Sequence, residues 1–140
     1  MATETFARDG QTKHAKSYYA ASANPSPERP PLRGDQQIDI CIVGAGYSGL
    51  STGLHLAEKG YKVAIIEGAR VGWGASGRNG GQIVNGLNAS LQTIKKRYGQ
   101  DTANFVAGLV QEGGEIIRER VQTYDIQCDL KPGNVFVGMT

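Results

Sequence analysis

The chain has 140 residues, a formal net charge of +2 and 20% charged residues. That is enough length for one real hydrophobic core, with too even a charge balance for a nucleic-acid surface or an acidic tail. Its apolar runs are short, far below the roughly 20 residues that span a bilayer, and the N-terminus lacks the apolar core of a secretory signal, so the expectation is a soluble cytoplasmic protein.

Residues 1–36 are small and polar, with Pro25, Pro27, Pro30 and Pro31 close together. Such a segment buries little apolar surface, and a flexible or extended leader is expected. Tyr18 and Tyr19 stand out in it. They read either as an anchor onto the globular part or as a solvated pair.

Residues 37–86 carry the strongest signal. Ile40-Cys-Ile-Val43 is an apolar run of the kind that a parallel strand buried on both faces requires. It leads directly into Gly44-Ala-Gly-Tyr-Ser-Gly49, a G-x-G-x-x-G turn. In a βαβ unit Gly44 makes the tight turn, Gly46 lets the backbone approach a pyrophosphate, and Gly49 lets the helix pack on the strand. Leu50, Gly53, Leu54 and Ala57 continue at helical spacing, and Gly60 is placed to end that helix. Val63-Ala-Ile-Ile66 reads as the second parallel strand, closed by Glu67, 23 positions after Gly44. That offset suits a carboxylate receiving hydrogen bonds from a ribose of the adenosine half. Glycine is in clear excess in this chain: 20 of its 140 residues, of which 12 lie between Gly44 and Gly86. The usual share is about 7%. The stretch Gly68 to Gln82 is too irregular for a strand and too rich in glycine for a helix, and its backbone is free to approach a ligand closely.

Residues 87–140 change character. A short amphipathic helix is expected from Asn88 to Tyr98, ended by Gly99, with Lys95-Lys96-Arg97 as a solvated face. A longer helix follows, with Asp101 as candidate N-cap, an apolar stripe of Val106, Leu109, Val110, Ile117, Val121 and Tyr124, and an interruption at Gly113-Gly114. Asp125 to Lys131 and Val135 to Met139 read as two strands joined at Pro132-Gly-Asn134. Cys41 and Cys128 have no metal-ligand spacing and read as buried thiols of a reducing compartment, with no metal site expected.

The fold class is therefore α/β, the N-terminal part of a Rossmann-like dinucleotide fold followed by the start of an α+β substrate domain. A doubly wound sheet needs further parallel strands than these, so the chain is expected to be a fragment of a larger protein. From these residues alone a nicotinamide enzyme and a non-catalytic dinucleotide-binding module both remain open.

The order of glycine turn, Glu67 and Gly72-Trp-Gly-Ala-Ser-Gly-Arg-Asn-Gly-Gly-Gln82 resembles the flavoprotein family of D-amino-acid oxidase, glycine oxidase and sarcosine oxidase. The likeness to a bacterial amine-oxidising member continues at Ser17 to Asn24, Leu54 to Glu58, Gly74 to Gln82, Glu112 to Arg120 and Pro132-Gly133. It implies FAD, with the adenosine half on Gly44, Gly46, Gly49 and Glu67. Family positions contacting the rest of the cofactor fall on Ser48, Gly68, Ala75, Ser76, Asn79, Gly80, Gly81 and Gln82. Arg78 is implied either near the reduced flavin or paired with a carboxylate elsewhere. The implied chemistry is oxidation of an amine carbon of a small-molecule substrate, with the imine hydrolysed by water. No residue of this chain qualifies as its catalytic acid or base, and His55, inside the first helix, suits packing or surface.

Overall fold

In a computed structural model the described residues are 17–27, 29–84 and 86–133. The second expected strand, Val135 to Met139, and the first part of the leader lie outside them. The chain divides into two compact units, Met1–Gly81 and Gln82–Thr140.

In the first unit the leader carries a five-residue helix, α1 (Tyr18–Ser22). It starts where it does because the Ser17 hydroxyl accepts the otherwise unpaired N–H of Ala20 at 3.2 Å. The Tyr18 and Tyr19 rings meet edge to face at 5.9 Å, and both are exposed, Tyr18 to 78% and Tyr19 to 47%.

β1 (Ile40–Val43) and β2 (Val63–Ile66) pair in parallel, in register from Ile40 opposite Val63 to Val43 opposite Ile66. Asp39 ties the start of the ladder at both of its hydrogen-bonding ends. Its N–H donates to the Lys62 carbonyl at 2.9 Å, and its carboxylate accepts the Lys62 N–H at 2.8 Å. Between the strands runs α2 (Tyr47–Glu58), the crossover that a parallel pair needs. Gly53 is the buried residue of α2. A Cβ there would lie 2.6 Å from Ile65 Cδ1, so the Gly53 backbone packs directly against the Ile65 side chain. The helix ends in a Schellman motif: Gly60 at φ 87° donates to the Ala57 carbonyl at 2.9 Å, and Tyr61 to that of Leu56 at 3.1 Å.

Within this chain β1 departs from two expectations. The strand is covered on one face, by α2, and along it Ile40 and Ile42 are half-buried whereas Cys41 and Val43 are exposed, Val43 to 83%. A period of two with a single covering layer produces that alternation. For the same reason Cys41 is an exposed thiol and not a buried one, and Cys128 in the second unit is also exposed.

The second unit, within the described residues, is helical. α3 (Leu91–Tyr98) begins later than Asn88, because Ser90 is its N-cap and accepts from the Thr93 N–H at 3.1 Å. Lys95, Lys96 and Arg97 fill the last turn, where positive charge suits the helix dipole. Gly99, at φ 92°, both ends α3 and caps α4 (Gln100–Thr123). Asp101 is therefore inside the first turn and not the N-cap. α4 runs unbroken through Gly113 and Gly114, and Gly114 is buried. Ile94 of α3 and Ala103 of α4 form the buried core of the unit. Along α4 Val106, Val110 and Val121 are half-buried, whereas Leu109, Ile117 and Tyr124 are exposed, so the covered stripe is narrower than the apolar spacing suggests. No strand forms over Asp125 to Lys131: Asp125 at φ 47° and Asp129 at φ 51° take a left-handed backbone that a pleated strand excludes. Among the described residues no helix is long and apolar enough to cross a membrane.

Candidate cofactor site

The end of β1 turns through Gly44, whose φ of 99° is open to glycine and strained for other residues. The ladder carries on into this turn, since the Gly44 N–H donates to the Ile66 carbonyl at 2.7 Å. Ala45 follows and is almost fully buried at 2% exposure. Its N–H donates to Glu67 Oε2 at 2.7 Å, while Glu67 Oε1 accepts the Ala69 N–H at 3.0 Å. The same two strand ends that the ladder holds together are thus joined a second time by a carboxylate.

These bonds hold the Glu67 carboxyl below its ordinary value, the Ala45 N–H contributing most, then Ala69, with Gly68 adding and desolvation opposing. Glu67 is therefore ionised at neutral pH. A carboxylate is acceptor-only and has about four lone-pair positions, so capacity remains for a ribose hydroxyl after the two backbone bonds.

Gly46 is the N-cap of α2, and no acidic residue lies in the first turn. The Tyr47 N–H donates to Ser76 Oγ at 3.0 Å. Ser48 and Gly49 supply the next N–H groups of the turn, where a helix has no intrahelical acceptor and the dipole favours an anion. A Cβ on Gly49 would collide with the Gly44 carbonyl oxygen, and one on Gly46 would lie 3.0 Å from Ser76 Oγ. Strand end, helix start and glycine tract therefore meet closely, with no room for a side chain at Gly49 and little at Gly46. An anion cradle of backbone N–H groups beside an ionised carboxylate fits the pyrophosphate and ribose of a dinucleotide.

The second glycine tract has more order than its composition suggests. It contains one 3₁₀ turn, Ala75–Gly77, and is tied back to the first turn, since the Gly72 N–H donates to the Ala45 carbonyl at 2.9 Å. Ser76 is half-buried against the start of α2, while Gly68, Ala75, Gly80 and Gly81 are exposed. The Asn79 side chain bonds Tyr47, Ser76 and Gly81. Gln82, also exposed, opens the second unit. Arg78 lies over the Trp73 ring at 5.0 Å and donates from Nε to the Trp73 carbonyl at 3.2 Å, which gives it a bracing role inside the tract. His55 Nδ1 lies 2.8 Å from the Ser51 carbonyl one turn back in α2, a surface role. Tyr47 is the residue that motif reasoning passed over. It occupies a variable position of the glycine motif, and its partner lies 32 residues away. Among the described residues no group of three metal-ligating side chains is placed to hold an ion.

A parallel strand pair with a glycine turn, a crossover helix and an acidic residue ending the second strand defines a dinucleotide-binding protein. The chain belongs to the DAO family of FAD-dependent oxidoreductases, which it matches over residues 39–139, and FAD is that family's cofactor. Gamma-glutamylputrescine oxidoreductase of Escherichia coli (strain K12) is 52% identical over 128 residues, covering 91% of this chain and 30% of its own length. Probable oxidoreductase OrdL of Haemophilus influenzae (strain ATCC 51907 / DSM 11121 / KW20 / Rd) is 47% identical over 86% of this chain and 28% of its own. OrdL of Rhizobium meliloti (strain 1021) is 30% identical over 87% of this chain and 28% of its own. The chain thus spans less than a third of the length of these relatives. No solved structure matches it.

Proposed function

We propose that the protein oxidises gamma-glutamylputrescine at an amine carbon, with this segment holding the FAD. The observation that carries the reading is the 52% identity, along 91% of the chain, to a relative named for that substrate. The shape of the turn supports the cofactor assignment. Gly44, Gly46, Ser48 and Gly49 present backbone to the pyrophosphate, and Glu67 accepts from the ribose. Gly68, Ala75, Ser76, Asn79, Gly80, Gly81 and Gln82 serve the remainder of the cofactor. When bound, the flavin supplies a two-electron acceptor for the amine carbon, so that water can release an aldehyde and ammonia and oxygen can leave as hydrogen peroxide.

On this reading residues 37–86 are the cofactor unit and residues 87–140 lead towards the substrate domain; the chain itself divides five residues earlier than that boundary, after Gly81. A reducing compartment, the cytoplasm, suits the exposed thiols of Cys41 and Cys128.

The test is the absorption spectrum of the natural full-length protein during anaerobic addition of gamma-glutamylputrescine. Oxidised-flavin bands that bleach with this amine are expected. Bands that bleach only with glycine, sarcosine or proline overturn the substrate, and a colourless protein that takes up no FAD overturns the cofactor role.

A further inference from the structure

The glycine motif assigns no job to Tyr47, yet this residue grips the second glycine tract at both of its polar ends. Its backbone N–H donates to Ser76 Oγ at 3.0 Å, and its hydroxyl accepts from Asn79 Nδ2 at 2.9 Å. Asn79 uses its other amide hydrogen on the Ser76 carbonyl at 2.8 Å and receives the Gly81 N–H on Oδ1 at 2.8 Å. Both of its donors are thereby committed to the protein, so it cannot donate to a ligand without releasing the tract.

We propose that Tyr47 and Asn79 form a latch that keeps the second glycine tract in its cofactor-binding shape before the cofactor arrives, both acting as positioning residues. The proposal rests on the FAD reading of the site. Residues 68–81 include six glycines in 14 positions, and glycine loses more backbone freedom on ordering than any other residue. A tract left to order on binding would subtract that entropy from the affinity. Tyrosine suits the task because it reaches from the first turn of α2 with only two side-chain torsions to fix. The same residue is fixed at its N–H by the neighbouring Ser76, so the latch closes on two points of the tract. Having accepted from Asn79, the Tyr47 hydroxyl keeps its own proton for donation, and Tyr47 is 62% exposed.

The test compares Tyr47→Phe, Asn79→Ala and the double variant in the natural full-length protein stripped of flavin. FAD affinity is read by quenching of flavin fluorescence, and amide exchange is read on the flavin-free protein. Removing one neutral hydrogen bond in Tyr47→Phe is expected to weaken FAD binding about 3- to 10-fold. The double variant is expected to bind like Asn79→Ala alone, since the two side chains act through one bond. In the flavin-free Tyr47→Phe protein, exchange is expected to quicken at Gly80 and Gly81 with the β1 and α2 amides unchanged. Additive losses, an unchanged affinity in Tyr47→Phe, or exchange that quickens across the whole unit overturns the latch. If the unsubstituted protein binds no FAD, the cofactor reading fails, and the exchange comparison still decides whether Tyr47 holds the tract.

Discussion

Gly49→Ala tests the reasoning about the glycine turn most directly. The new Cβ would run into the Gly44 carbonyl oxygen, with the Gly44 carbonyl carbon at 3.1 Å and Ile42 Cγ2 at 3.4 Å. Gly44 cannot withdraw freely, because its N–H is held by Ile66 at 2.7 Å. Relief therefore requires α2 to lift from the end of β1, loosening the Ala45 contact with Glu67. Overpacking typically costs about 1–3 kcal/mol, and with backbone as the obstacle the upper end applies. Alanine recovers about 1 kcal/mol over glycine inside a helix, which leaves a loss of about 2 kcal/mol. Gly53→Ala is the control on the same helix. Its Cβ would lie 2.6 Å from Ile65 Cδ1, the end of a side chain that can rotate, so overpacking and propensity offset to within about 1 kcal/mol. Urea unfolding of the two variants gives the difference from their midpoints and slopes. FAD content after purification gives the functional half, with Gly49→Ala expected to lose flavin and Gly53→Ala to retain it. A Gly49→Ala protein as stable as Gly53→Ala, or one that keeps its flavin, would refute the close-approach argument.

Three further outcomes follow from the geometry. Glu67 sits below the ordinary carboxylate value of 4.5, so its contribution is fully present above that value and is lost as pH falls through the lowered one. Stability measured from neutrality down through the carboxylate range is expected to fall more steeply in the unsubstituted protein than in Glu67→Gln, which also binds FAD more weakly. Gly113→Ala places a Cβ in open space on an unbroken helix, and is expected to raise the melting temperature through a gain of up to ~1 kcal/mol. Ser90→Ala removes the acceptor for the Thr93 N–H and is expected to lower stability by ~1 kcal/mol, read as the unfolding midpoint of the chain.

What could be read from residues alone was whatever depends on near neighbours. β1, α2, β2 and the Gly60 terminus are dictated within a turn or two of chain by apolar runs, helical spacing and one glycine, and the structure has all four. The ionised Glu67 was legible as an acidic residue at the right offset, but its bonds to Ala45 and Ala69 were not. Asp101 competed with Gly99 for the same helix start, and the left-handed backbone of Gly99 prevailed. Asp125 to Lys131 alternates in hydropathy as a strand does, and nothing in that alternation announces the left-handed backbone at two aspartates. The side chain of Tyr47 finds its partner across 32 residues, a separation over which no local pattern operates.

The single glycine between α3 and α4 makes the second unit sensitive to length more than to composition. Because Gly99 closes one helix and opens the next, no spacer residue stands between them to absorb a change. One residue inserted between Gly99 and Ala103 would rotate everything beyond it by about 100° around the axis of α4. Ala103 would then turn away from the core it shares with Ile94, and a polar neighbour would take its place. The pair can accept many surface substitutions along α4, but it counts its residues from Gly99.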